Sequence, residues 1–358
     1  MGAIRGNSST NPSSREPENS RQALEVGRDE MVATPSASSF LEMDEVRARR
    51  SLIDREIQRY LHTDKGEPAI LYEAAHHLVA AGGKRLRSLM TLLCCEAVGG
   101  DIEKALPVTL AEELLQTASL IHDDILDDGK MRRGVQTVHC KFGRDMAILA
   151  GDLLIVQAIR ILGEHATPRV IARIGSGGVR VCEGEAADLQ INADRPKALD
   201  GRQYFEMIAR KTAAFMKESA GVGALVGNAT QEQEQALSHY GEMLGYAFQL
   251  RDDILDIEGS PDTTRKTTHA DLRLKRGNYL LIRTQEAGSE RQWRQCQRAL
   301  EQGGLDTVVA IVKEVALAHA YELARSYVVQ AKQALQGQGF RAQELLERVA
   351  DFTISRTS

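Results

Sequence analysis

The chain has 358 residues, 42% of them hydrophobic, with a formal net charge of −5 and a sequence pI near 6.0. That balance excludes the basic excess of a nucleic-acid binder, and no apolar run approaches the roughly 20 residues that cross a bilayer. The five cysteines, Cys94, Cys95, Cys140, Cys182 and Cys296, form no Cys-x-x-Cys pair and no regular spacing, so neither a zinc site nor a disulfide framework is indicated and a reducing, cytoplasmic setting is expected.

Residues 1–40 are expected to be a disordered extension: the opening MGAIRGNSSTNPSSREPENSRQ is rich in Ser, Asn, Pro, Glu and Arg and has no hydrophobic periodicity. It lacks the apolar centre of a secretory signal, and Glu16, Glu18, Glu25, Asp29 and Glu30 argue against an acid-poor transit peptide. Residues 41–358 read as one all-α domain, because Ala, Leu, Glu, Gln and Arg dominate and strand-like alternation is absent. After Pro107, apolar residues recur at three- and four-residue steps (Leu110, Leu114, Ala118, Ile121, Ile125), and Gly129 stands where such a helix would stop. Similar faces run through Tyr204, Ile208 and Phe215 and through Tyr240, Leu244, Ala247 and Ile254, with no repeat of solenoid period. The expected architecture is a large helical bundle around a central cavity.

Two of these helices end in acid. His122-Asp123-Asp124-Ile125-Leu126-Asp127-Asp128 and Arg251-Asp252-Asp253-Ile254-Leu255-Asp256 both contain Asp-Asp-x-x-Asp. Residues four apart share a helix face, so Asp123 lies beside Asp127 and Asp252 beside Asp256, with no intervening Lys or Arg to neutralise them. One acidic run at a helix end is more often solvated surface. Two copies of DDILD on otherwise apolar helices favour a shared role, holding hard divalent cations that carboxylates, water and phosphate oxygens coordinate together. Fixed positive charge stands nearby. Gly82-Gly83-Lys84-Arg85-Leu86-Arg87 sets three basic residues after two flexible glycines, and Arg132-Arg133-Gly134 follows the first acidic cluster. Either group alone could be ordinary surface charge; together, flanking the acids, they suit phosphate oxygens through point charges and guanidinium forks.

The ordered strings GGKRLR, LIHDDILDDGKMRRG, AILAGDLL, EMIARKTAAF and GYAFQLRDDILD resemble the trans-isoprenyl diphosphate synthases, over about residues 60–356. The resemblance implies an isoprenoid synthase fold and condensation of isopentenyl diphosphate with an allylic diphosphate, giving geranylgeranyl diphosphate or a longer polyprenyl diphosphate. It implies that Lys84, Arg87 and Arg133 clamp isopentenyl diphosphate, with Gln116 where many members have His. By the same resemblance Arg132, Lys211, Thr212, Gln249 and Lys266 contact the allylic diphosphate, with Arg132 and Lys211 taking part in catalysis. Asp123, Asp127 and Asp252 are implied as principal ligands of magnesium, three ions per site, with Asp124, Asp253 and Asp256 supporting. A homodimer is also implied. Two departures stand out: Ser88 replaces the usual proline, and Arg276 replaces a lysine in the loop that carries Lys266.

Product length is expected to depend on what plugs the cavity one turn below Asp123, where Ser119 and Ala118 stand. Small residues there argue for long products, although close helix packing explains them nearly as well. A class I terpene cyclase fits less well, since such enzymes lack the isopentenyl diphosphate clamp and carry a different second metal motif. A non-catalytic regulatory subunit of a heteromeric synthase is the reading from outside catalysis, and the altered loop at Arg276 keeps it open.

Overall fold

The structure is a computed structural model that describes residues 37–193, 200–258, 272 and 277–356. Lys266 and Arg276 lie outside the described residues. Helices α1 (Ala37–Glu42), α2 (Asp44–Thr63), α3 (Ala69–Ala80) and α4 (Leu86–Ala97) lead into the long α5 (Ile102–Leu126). A hairpin of β1 (Met131–Arg132) and β2 (Val135–Gln136) and the short α6 (Val138–Phe142) precede α7 (Arg144–His165) and α8 (Pro168–Ala193). Then come α9 (Gly201–Ile208), a π-helical turn (Ala209–Ala213), α10 (Ala214–Val226) and α11 (Gln231–Glu258). The chain finishes with α12 (Tyr279–Ala287), α13 (Glu290–Gln302), α14 (Leu305–Val315), α15 (Leu317–Leu335) and α16 (Gln343–Ser355). Among the described residues the hairpin is the only sheet.

The bundle is organised around α10. Its sequence, AFMKESAGVGALV, is buried on nearly every side, and α4, α8 and α11 pack against it. Small residues make that possible: a Cβ on Gly223 would lie 2.3 Å from the Thr91 carbonyl oxygen on α4, so the two backbones meet at a distance only glycine permits. Along one flank α5 packs on α7, and along the other α11 packs on α15.

Helix α5 starts five residues before Pro107, with the Asp101 side chain capping the Glu103 N–H at 3.1 Å. Leu110, Leu114, Ala118 and Ile121 are buried as the periodicity requires. Its 25 residues span about 37 Å at 1.5 Å per residue. The first helix begins at Ala37, inside the stretch expected to lack structure, and Phe40 is buried with its ring 5.0 Å from Phe352 on α16. One expectation is corrected: α7 is long and apolar enough to cross a membrane. Here it lies along α5 with Ala147, Ala150, Leu154, Ala158 and Ile161 buried on one face, while Ile148, Leu149, Val156 and Ile159 are exposed.

Candidate active site

Both acidic clusters end their helices, where the last carbonyls already present partial negative charge and carboxylates are disfavoured. Asp123, Asp127, Asp252 and Asp256 are partly accessible. Burial pushes the Asp123 carboxyl above its ordinary range; Lys211 and Arg132 pull it back, and Asp127 and Asp124 push it up again. Among the described residues no three His, Cys, Asp or Glu side chains form a ready-made metal cage. Pairs of carboxylate oxygens beside fixed cations suit a hard divalent ion whose shell is completed by water and phosphate oxygens.

The remaining aspartates do something else. Asp124, predicted as a supporting metal ligand, is 2% exposed and accepts a hydrogen bond from Arg132 Nε at 2.7 Å. Asp253, given the same role, is 3% exposed. It accepts from Tyr204 Oη at 2.7 Å, Gln249 Nε2 at 3.0 Å and the Tyr279 N–H at 2.8 Å. Both are buried because they occupy the inward positions of their helices, and they brace neighbouring groups. Gln249 passes the link on, its Oε1 accepting from Thr212 Oγ1 at 2.8 Å.

Thr212 and Lys211 sit in the π-turn, where one extra residue per turn re-aims side chains within a helical run. The turn is held closely from both sides: a Cβ on Gly184 of α8 would lie 2.2 Å from the Lys211 nitrogen, and one on Gly245 of α11 would lie 2.3 Å from Ala213 Cα. Lys211 Nζ is bonded to Asp188 at 2.6 Å and Glu185 at 2.7 Å. Burial alone would lower its pKa, but these two carboxylates more than offset that and raise it above the ordinary lysine range.

On the opposite side the basic residues gather. Arg133 and Gly134 both have positive φ (53° and 79°) at the tip of the hairpin, the backbone of a type I′ turn. Arg133 reaches back to the Leu78 carbonyl at 3.0 Å and lies against Gly83. Burial lowers its pKa to about 10; Glu113 opposes that, while Arg85, Arg132 and Arg87 add to it. Arg87 stands 4.7 Å from the Phe215 ring centroid and 5.9 Å from that of Phe248, and its Nε is buried without a hydrogen-bond partner. Burial lowers its pKa too, against the pull of Glu113, Asp252 and Glu112. Lys84 is half-buried beside it in sequence, and Gln116 is half-buried on α5.

Arg85 departs from its expected role. It turns inward in the left-handed conformation (φ 56°) and pairs with Glu113 at 2.6 Å and Asp54 at 3.0 Å. Ser88 completes this knot by donating to Glu113 at 2.5 Å, so the serine in place of proline anchors the turn. Ala118 also differs: it is 1% exposed and lies about 140° around α5 from Asp123, whereas Ser119 shares the Asp123 face.

Three contributors carried no strong sequence signal. Arg356, near the end of the chain, donates to Asp252 at 2.9 Å and to the Phe248 carbonyl at 2.9 Å, and Arg251 grips its carbonyl oxygen. Glu185 and Asp188 share a face of α8, a pattern that becomes meaningful once Lys211 needs a partner.

This is the arrangement of a helical transferase for diphosphate esters, with acid pairs for cations and buried guanidinium groups for phosphate. The sequence pattern of the polyprenyl synthetase family matches residues 68–315, and the chain belongs to that family. It is 34% identical over 322 residues to the geranylgeranyl diphosphate synthase of Methanosarcina mazei, covering 88% of this chain and 98% of the relative. Among solved structures, a polyprenyl synthase from Caulobacter crescentus CB15, complexed with calcium and isoprenyl diphosphate, superposes with a TM-score of 0.82 at 29% identity, covering 91% of this chain and all of that one. Geranylgeranyl pyrophosphate synthetase from Pyrococcus horikoshii gives 0.80 at 33% identity, with 89% and 99% covered. The chain is a prenyltransferase with the isoprenoid synthase fold.

Proposed function

We propose that this enzyme condenses isopentenyl diphosphate with an allylic diphosphate, releasing pyrophosphate and giving geranylgeranyl diphosphate or a longer product. The observation that carries the reading is that partly accessible acids and fixed cations meet in one place: Asp123 feels the charges of Lys211 and Arg132, and Arg87, whose Nε has no hydrogen-bond partner, feels that of Asp252. A metal–diphosphate complex suits both kinds of group.

Asp123, Asp127, Asp252 and Asp256 would hold magnesium, three ions by the family resemblance, whose charge offsets that of the departing diphosphate. Arg132, fixed by Asp124, and Lys211, fixed by Glu185 and Asp188, hold the allylic diphosphate with little reorganisation. Thr212 and Gln249 extend that side of the site, and Lys266 and Arg276 belong to it by resemblance. Lys84, Arg87, Arg133 and Gln116 hold isopentenyl diphosphate. Breaking the allylic C–O bond leaves a carbocation, and the isopentenyl double bond attacks it. A proton then leaves from the adjacent carbon to the departing pyrophosphate, restoring a double bond.

The working unit is a homodimer. Leu149, Val156 and Ile159 on α7 and Val179 on α8 are each more than half exposed, an apolar face of the kind a second subunit covers.

The test is incubation of purified protein with magnesium, isopentenyl diphosphate and, separately, dimethylallyl, geranyl, farnesyl or geranylgeranyl diphosphate, with products measured by mass spectrometry. A ladder ending at one length is expected. Recovery of every primer unchanged from folded, magnesium-saturated protein would overturn the proposal.

A further inference from the structure

The hairpin that carries Arg132 and Arg133 has strands of two residues each, too little to hold a ribbon in place without help from other elements. Its base is tied to the end of α5: the Thr137 N–H donates to the Lys130 carbonyl at 3.1 Å, and Thr137 Oγ1 donates to the Gly129 carbonyl at 2.7 Å. Arg132 is fixed from the same side by Asp124. Arg133 instead reaches the last turn of α3, where it donates to the Leu78 carbonyl and lies against Gly83, at which an added Cβ would stand 3.5 Å from the guanidinium carbon. The residue before Leu78 is His77. Its Nε2 lies 2.8 Å from the Gln136 carbonyl oxygen and its Nδ1 3.2 Å from Lys141 Nζ, and its ring meets that of Phe142 edge-on with centroids 5.6 Å apart. Among the described residues, the polar links between α3 and the segment from β2 to α6 all end on His77.

We infer that His77 is a positioning residue: it buckles the hairpin to α3 and so sets Arg133 against the turn that carries Lys84 and Arg87. This rests on the prenyltransferase reading above and on the place given there to those three residues in holding isopentenyl diphosphate. The physical reason is connectivity. Helix α3 ends at Ala80 and the chain runs through Gly82 and Gly83 directly into Lys84 and Arg87, whereas Arg133 comes from a separate hairpin. When two segments grip one diphosphate, their spacing has to be held before the ligand arrives, or binding must supply the ordering. A carbonyl oxygen only accepts and a lysine ammonium only donates, so an imidazole with its hydrogen on Nε2 and a bare Nδ1 satisfies both neighbours at once. That fixes the ring in one orientation, and Phe142 packs against it there. Arg132 does not depend on this buckle, because Asp124 holds it from α5, so the allylic side of the site is spared.

The experiment measures kcat and both KM values, with isopentenyl diphosphate and the allylic primer the wild type extends best, for His77→Ala, His77→Phe, His77→Gln, Arg133→Gln and the double variant His77→Ala with Arg133→Gln. Circular dichroism establishes that each is folded. His77→Ala and His77→Phe lose the donor to Gln136, and KM for isopentenyl diphosphate should rise about 3- to 10-fold, the range of one net hydrogen bond, while kcat and KM for the primer change by less than about twofold. His77→Phe keeps a ring against Phe142 and so separates the hydrogen bond from the packing. Glutamine offers an N–H to the Gln136 carbonyl and an oxygen to Lys141, so His77→Gln should keep the wild-type KM. Once Arg133 is gone the buckle has nothing to position, and the double variant should match Arg133→Gln alone. Should His77→Ala fail to fold, His77→Phe replaces it in both comparisons. An unchanged KM for isopentenyl diphosphate, an equal rise in both KM values, a His77→Gln enzyme as impaired as His77→Phe, or full additivity with Arg133→Gln overturns the inference and leaves the activity standing. A wild-type enzyme that extends no primer overturns the activity itself, and the inference with it.

Discussion

Glu113→Ala should cost about 3–5 kcal/mol of stability, the usual loss when one partner of a buried ion pair is removed. In the structure Glu113 takes both Arg85 at 2.6 Å and Ser88 at 2.5 Å, and the side chains of Arg85 and Glu113 are 4% and 6% exposed. Removing the acid leaves a guanidinium out of water with only the half-exposed Asp54 at 3.0 Å for company. That loss is a large fraction of a typical folding free energy of about 5–15 kcal/mol. Urea unfolding followed by circular dichroism measures it. The double variant Arg85→Met with Glu113→Leu removes both charges and should unfold at a higher urea concentration than Glu113→Ala, because no unpaired charge remains and apolar replacements of similar size are tolerated. Because the knot anchors the turn between Gly82 and Arg87, Glu113→Ala should also raise KM for isopentenyl diphosphate. A stability loss below about 1 kcal/mol, or a double variant less stable than Glu113→Ala, would refute the reasoning.

The two adjacent aspartates of the second cluster should separate cleanly. Asp252→Asn should abolish turnover with little change in melting temperature, because its amide oxygen still accepts from the buried Arg356, whereas Asp253→Ala strands the donors of Tyr204, Gln249 and Tyr279 and should lower the melting temperature by several degrees; calorimetry and product assays on both variants check this. Glu112 should give stability a pH dependence. Burial raises its carboxyl from the ordinary 4.5 to about 8 in the folded protein, so the wild type loses stability as pH rises from about 4.5 to 8 and levels off beyond. Glu112→Gln should flatten that slope, with a ceiling of about 5 kcal/mol at the alkaline end, and parallel urea curves at pH 5 and pH 8.5 would expose a failure.

Local rules reached a good part of this molecule. Helix content followed from residue propensity, and the two Asp-Asp-x-x-Asp pairs followed from the four-residue repeat of a helix face. The inward Asp124 and Asp253 did not, because a carboxylate one residue along the chain lies 100° around the helix. Whether that direction meets solvent or a neighbouring arginine depends on other helices. The same difficulty hid Arg85, which looks in sequence like its basic neighbours but has a left-handed backbone that turns it toward Glu113.

By itself the sequence determined the all-helical class, the helix faces that are buried and the chemistry that acid and base motifs can support, since each depends on residues within a few positions of one another. Tertiary structure alone decided which charges were already spoken for. Arg356 meets Asp252 across 104 positions, and Thr91 meets the Ser219 carbonyl across 128. Contacts of that range arise when whole helices pack, and no local periodicity encodes them.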